Sequence, residues 1–215
     1  MKPRKILSIA IASLAIAAPA LAGPPLLCHP FEIGTAKSLP WVGQKSWDEG
    51  QPGYKLENLV ADTEALLTPS TPVIVRIETL RRAALYASAD ARVASILIKR
   101  LLSRAEASEM AGRPDPLAYL DAAYIAGAFN EITMMGRAKE WEERSANANK
   151  VKGSLDAYGL ITKSVALRPS DPAIQFAAAL ISSDGHRSEY PNHAAKARAG
   201  ADADTLLARN LVHVQ

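Results

Sequence analysis

Three proline-led helix starts restrict what this chain can fold into. Thr71-Pro72, Asp115-Pro116 and Asp171-Pro172 each place a side-chain oxygen directly before a proline. At the first helical position proline loses nothing by lacking an N–H, and its fixed φ already suits the helix. The preceding hydroxyl or carboxylate accepts the free amides of the first turn. The prolines are 44 and 56 residues apart, room for about two helices in each interval. One helical hairpin cannot cover its own apolar face, so a succession of them has to stack.

The apolar pattern agrees. Val73, Ile77, Leu80 and Ala84 share one face after the first start, and Val93, Ile96, Leu97 and Leu101 share one after Asp90. Leu117, Leu120, Tyr124 and Ala128, flanked by Ile125, Phe129 and Ile132, make a helix apolar over more than half its circumference. Such a helix belongs at the centre. Gly112 and Gly136 stand where the chain must reverse. Aromatic residues are only 6% of the sequence, too few for the strands of a β-sandwich. The expected class is all-α: stacked antiparallel helical hairpins over residues 54–215. Residues 23–53 are rich in proline and glycine, carry Trp41 and Trp47, and show neither helical nor strand period. They read as a non-helical arm.

Residues 1–22 have the form of a secretory signal. Lys2, Arg4 and Lys5 precede an apolar run from Ile6 to Ala18, then Pro19 and the small-x-small triplet Ala20-Leu21-Ala22. Cleavage after Ala22 and a periplasmic or secreted location follow. Cys28 is no lipid anchor, because Leu27 rather than a small residue precedes it. The formal net charge is +3, and the signal carries three cations and no acid, so its removal leaves a neutral chain. That argues against nucleic acid as a partner.

The C-terminal third resembles tetratricopeptide repeats. Residues 138–171 have the repeat's length. Trp141 stands at the early tryptophan position, Ala157 and Ser164 at small positions, Ile161 at the bulky one and Pro169 at the closing proline. In the next unit Ala178 and Ala179 take the place of the Leu-Gly pair. Arg144 and Ala148 depart from the pattern, as does Asp202 where a second closing proline would stand. The resemblance implies a short right-handed solenoid whose concave face binds a peptide or a protein.

Candidate chemistry is sparse. Cys28-His29 could hold a soft metal or act as a redox thiol, although neighbours on an extended strand point to opposite sides. His186 and His193, with Asp184 and Glu189, could supply zinc ligands, but the interval spans Pro191 and aligns no helical face. One cysteine excludes a disulfide framework and any multi-cysteine cluster, and no Cys-x-x-Cys-His is present for haem attachment. Nucleotide-binding, serine-hydrolase and zinc-protease motifs are absent. No residue set identifies a reaction or calls for a cofactor.

For partners, Arg76, Arg81 and Arg82 lead a strongly basic stretch reaching Arg104, opposed locally only by Glu78 and Asp90. It would suit an acidic peptide, or be neutralised by Asp48, Glu49, Glu57, Asp62 and Glu64 of the same chain. Ser38-Leu39-Pro40-Trp41 has the character of a docking peptide: stiffened by proline, ending in a large apolar ring. It is expected to lie across the helical body of its own chain. The function these features suggest is an exported scaffold that binds a protein or peptide. The alternative is a thiol- or metal-dependent module built on Cys28 and His29.

Overall fold

The computed structural model describes residues 25–43, 46–151, 155–183, 185–201 and 205–214. Residues 1–22, together with Gly153, Asp184 and Asp202, lie outside them. The described residues are all-α, with no strand beyond an isolated antiparallel bridge between Trp41 and Gly50. The α-helices are α1 (Leu59–Leu66), α2 (Val73–Ala87), α3 (Ala91–Met110), α4 (Pro116–Met135), α5 (Glu142–Val151), α6 (Ala157–Leu167), α7 (Pro172–Ser182), α8 (Tyr190–Ala199) and α9 (Leu206–Asn210). Short 3-10 turns precede α1 and α5, and another, Leu211–Val214, follows α9. No described helix is long and apolar enough to cross a membrane.

Two of the proline-led starts work as the sequence implies. Asp115 accepts the Leu117 amide, and Asp171 accepts those of Ala173 and Ile174, each with proline in the first turn. Asp90 caps α3 in the same way through Arg92 and Val93. Thr71 does not. Helix α2 begins at Val73 with Pro72 itself as the cap residue, and no side chain closes that end. The Thr71 hydroxyl turns back instead, donating to the Leu66 carbonyl at 2.7 Å and fastening the α1–α2 turn.

Helix α4 is the axis. It touches α2, α3, α5, α6 and α7, and Leu120, Tyr124, Ile125, Phe129 and Ile132 along it are fully buried. Helix α2 is almost as enclosed, with Val73, Ile77, Leu80 and Ala84 inside. In α3 the buried stripe is Val93, Ala94, Leu97, Ile98, Leu101 and Ala105. Ile96, expected on that face, is half exposed. Gly112 reverses the chain with a positive φ of 66°. Gly136 does something else: a Cβ there would sit 2.4 Å from Ser145 Oγ, so its missing side chain lets α5 close onto the end of α4.

Packing around α4 is radial rather than serial. Helix α5 rests on α3 and α4, and α6 rests on α4 and α7. Within residues 138–171, helices α5 and α6 each pack chiefly on α4. Helix α5 buries only Ser145, Asn147 and Ala148, too little apolar surface to hold α6. Of the small and bulky positions of α6, all buried, Ala157 lies beside Gly127 of α4 and Ser164 Oγ donates to the Pro116 carbonyl at 2.8 Å. Successive packing does occur from α6 to α7 to α8. Because the Asp171 side chain holds two otherwise free amides, Asp171→Ala should cost about 1 kcal/mol in urea unfolding; an unchanged midpoint would mean the cap does not hold α7.

Candidate functional site

The N-terminal arm, not an open cleft, marks the site. Residues 25–43 contain no helix, yet Leu26, Leu27, Phe31 and Leu39 are as buried as any core residue and join the same apolar cluster as α2, α4 and α7. Burying each such side chain is worth about 1.5–3 kcal/mol. An extended segment inside a protein also brings peptide groups with no helix or sheet to satisfy them. Here the helices supply the partners as side chains.

At the start of the arm, the Leu26 amide donates to both carboxylate oxygens of Glu131 at 3.1 Å, and its carbonyl accepts the Tyr124 hydroxyl at 2.7 Å. The Leu27 carbonyl takes Arg81 Nη1 at 3.1 Å, and the Phe31 amide donates to Glu78 Oε2, also at 3.1 Å. Asn210 of α9 reads both sides of one residue. Its Oδ1 accepts the Glu32 amide at 2.8 Å, and its Nδ2 donates to the Glu32 carbonyl at 2.9 Å. Further along, Ser38 Oγ meets Thr79 Oγ1, Arg82 Nη1 donates to the Leu39 carbonyl, and the Tyr86 hydroxyl donates to the Pro40 carbonyl. Apart from the Ser38–Thr79 pair, these contacts fix main-chain atoms, and so would accept other sequences of similar shape.

Glu78 is the hub. It is 0% exposed, and Arg81 and Arg82 hold it from the same helix at 2.6–2.9 Å. Burial pushes its carboxyl up, but the hydrogen bonds and charges of the two guanidiniums outweigh that and hold it below its ordinary 4.5. Arg81, also 0% exposed, commits Nε and Nη2 to Glu78 and Nη1 to the Leu27 and Trp47 carbonyls. Arg82 and Arg81 both lie near the Trp41 ring, at 5.9 and 5.2 Å from its centre. Trp41 meets Tyr86 edge to face at 5.5 Å and donates its indole N–H to the Ser46 carbonyl.

The arm's entry point needs a glycine. A Cβ on Gly127, in the middle of α4, would come within 2.7 Å of Leu26 Cδ1. Next to this seat lies a cavity of about 130 Å³ lined by Glu131, Asp156, Tyr158 and His186. A larger one, about 590 Å³, opens between Trp41, Tyr54, Tyr86 and Arg144 on the far side of the arm.

The residues singled out by sequence fall into separate places. Arg76, Arg81 and Arg82 are not an open basic groove. Arg76 is 1% exposed and paired with Asp121 at 2.6 Å, and the other two serve Glu78 and the arm. Burial raises the Asp121 carboxyl to about 6 despite Arg76 and Arg104 beside it. Of the acids expected to neutralise the stretch, Glu64 reaches Arg100 at 2.8 Å; the arm otherwise offers backbone carbonyls, which carry the charge-assisted bonds without bringing buried charges of their own. Trp41 and the Ser38–Trp41 segment lie across the helical body, as expected.

Cys28 and His29 do not act together. The thiol is half-buried, and burial followed by the Glu131 charge pushes it up to about 11, far from a reactive thiolate at neutral pH. His29 instead faces His213. His186 stacks on Tyr158 at 3.8 Å, whereas His193 is buried and bonded to Gln175 at 2.7 Å. Among the described residues no three of His, Cys, Asp and Glu converge as a metal site. Sequence reasoning missed Glu78, Glu131, Tyr124 and Asn210. The readable signal was an acid inside each of two apolar helices, Glu78 beside Ile77 and Glu131 beside Ile132.

Comparison with protein-family models, with curated proteins and with solved structures finds no match to this chain. The tetratricopeptide resemblance therefore rests on its own residues.

Glu78→Gln removes the countercharge from a buried Arg81 and should cost about 3–5 kcal/mol in denaturant unfolding. A carboxylate held below its unfolded value lends stability that is present above 4.5 and is lost as pH falls through the folded value. Unfolding midpoints of the native chain should thus drop in the acid range, and Glu78→Gln should flatten that drop. Gly127→Ala offers a separate check. In a free helix it would gain about 1 kcal/mol, but crowding against Leu26 costs about 1–3 kcal/mol, so a net gain in stability would show that Leu26 is not seated there.

Proposed function

We propose that the chain is an exported helical scaffold that binds an extended peptide or a protein segment, and that its own N-terminal arm occupies the binding groove in the free state. The observation carrying this is the arm itself: a segment without helix or ladder, held on the body through its main-chain atoms by Glu131, Tyr124, Arg81, Glu78, Asn210 and Arg82. Backbone-directed contacts with buried pockets for alternate apolar side chains are how proteins recognise extended peptides. Export is supported by the basic start, apolar run and Ala20-Leu21-Ala22 of the leading residues. The serial contacts from α6 through α8 support a short tetratricopeptide-like run; the radial packing around α4 speaks against extending it over the whole chain.

A labelled peptide of residues 25–41, added in trans, tests the reading. Native protein should bind it poorly because the groove is filled. Trp41→Ala, which removes the ring between Tyr86 and the two arginines, should lower the melting temperature and let the peptide in. An unaltered melting temperature with no capture by either protein would end the proposal. Native envelope extract passed over Trp41→Ala should then yield the partner.

A further inference from the structure

We infer that His29 and His213 form a two-imidazole clip for one borderline transition-metal ion such as Zn²⁺, Cu²⁺ or Ni²⁺, fastening the N-terminal arm to the last turn of the chain. The two rings come from opposite ends of the sequence and lie with centres 6.0 Å apart and planes inclined at 39°. His29 Nε2 and His213 Nδ1 are both closed off from solvent, and neither has a hydrogen-bond partner. A buried nitrogen without a partner is unfavourable; two on adjacent rings point to a shared occupant.

A metal ion satisfies both at once, because each neutral imidazole offers a lone pair and imidazole suits these ions. Two imidazoles on one tetrahedral ion, with metal–nitrogen bonds of about 2.0–2.1 Å, place their ring centres about 5 Å apart. The rings therefore have to draw together by roughly 1 Å. The aromatic surroundings hold them in place: His213 packs edge-on against Phe31 at 5.1 Å, and Phe31 against Phe176 at 6.0 Å. Glu78 brings negative charge near His213, which favours a cation, but it is already bonded to Arg81 and Arg82. Among the described residues no third protein ligand converges on the two rings, so water would complete the ion's coordination.

The clip differs from the Cys28–His29 module in its partner residue, and the test separates them. The chelator-stripped chain is titrated with ZnCl₂, CuCl₂ and NiCl₂ by calorimetry, with the melting temperature followed in parallel. Binding of one ion per chain, with a melting temperature that rises with metal concentration, is the expected result. His29→Gln and His213→Gln should each weaken binding by at least about tenfold, while Cys28→Ser, His186→Gln and His193→Gln should leave it unchanged. Should a His29 or His213 variant fold poorly, the histidine ¹⁵N shifts of the native chain on adding Zn²⁺ decide instead: both rings must move. Absence of binding, a water bridge only, or binding lost with Cys28→Ser would overturn the clip.

Discussion

A carboxylate and a guanidinium sealed together inside α2 set the terms for the rest of the molecule. Glu78 and Arg81 have no access to water, so each of their hydrogen-bonding positions must be filled by protein. Their mutual bonds fill only part of that capacity. Arg82 supplies one more donor and the Phe31 amide another, while Arg81 still needs acceptors for Nη1. The Leu27 and Trp47 carbonyls meet that need. The arm is thus a structural requirement of the ion pair, and the ion pair a requirement of the arm: remove either and buried polar groups are stranded.

This mutual dependence explains why a segment without secondary structure can sit at the centre of a helical protein. Peptide groups in an irregular chain ordinarily have to stay near water. The buried points of the arm, Leu26, Leu27, Phe31 and Leu39, escape that rule because Glu131, Tyr124 and the α2 side chains act as the missing neighbours of a sheet. Helix α4 makes room through Gly127 and reaches the arm through the Tyr124 hydroxyl. Such contacts act on atoms common to every extended chain, which is the ground of the recognition proposed above.

Much of the helical layout could be read in advance. The caps at Asp90, Asp115 and Asp171, the enclosed α4 and the stripe of α2 all follow from local rules, since the amides of a first turn and the faces of a helix are set by residues three or four positions away. Thr71 shows where such rules stop. Its hydroxyl found a carbonyl five residues back and left the α2 start uncapped. The window around Trp141 shows a related limit: repeat-like spacing fixes which residues are small, not which helix they meet, and α6 packs chiefly on α4. The arginines were conspicuous as charge, but burial turned them from a surface for partners into internal donors.

The sequence by itself determined that the chain is helical, roughly where the helices begin, which of them is central, and that residues 38–41 would lie against the body. Those features depend on neighbours along the chain and on the apolar excess of a few segments. Tertiary structure alone decided the radial order around α4, the pairing of Arg76 with Asp121, the meeting of His29 with His213, and the use of Glu78, Glu131 and Asn210 to hold a backbone. The physical reason is separation: these contacts join positions from about 45 to more than 180 residues apart, and a bond to a backbone amide or carbonyl leaves no side-chain pattern in the sequence of the segment it holds.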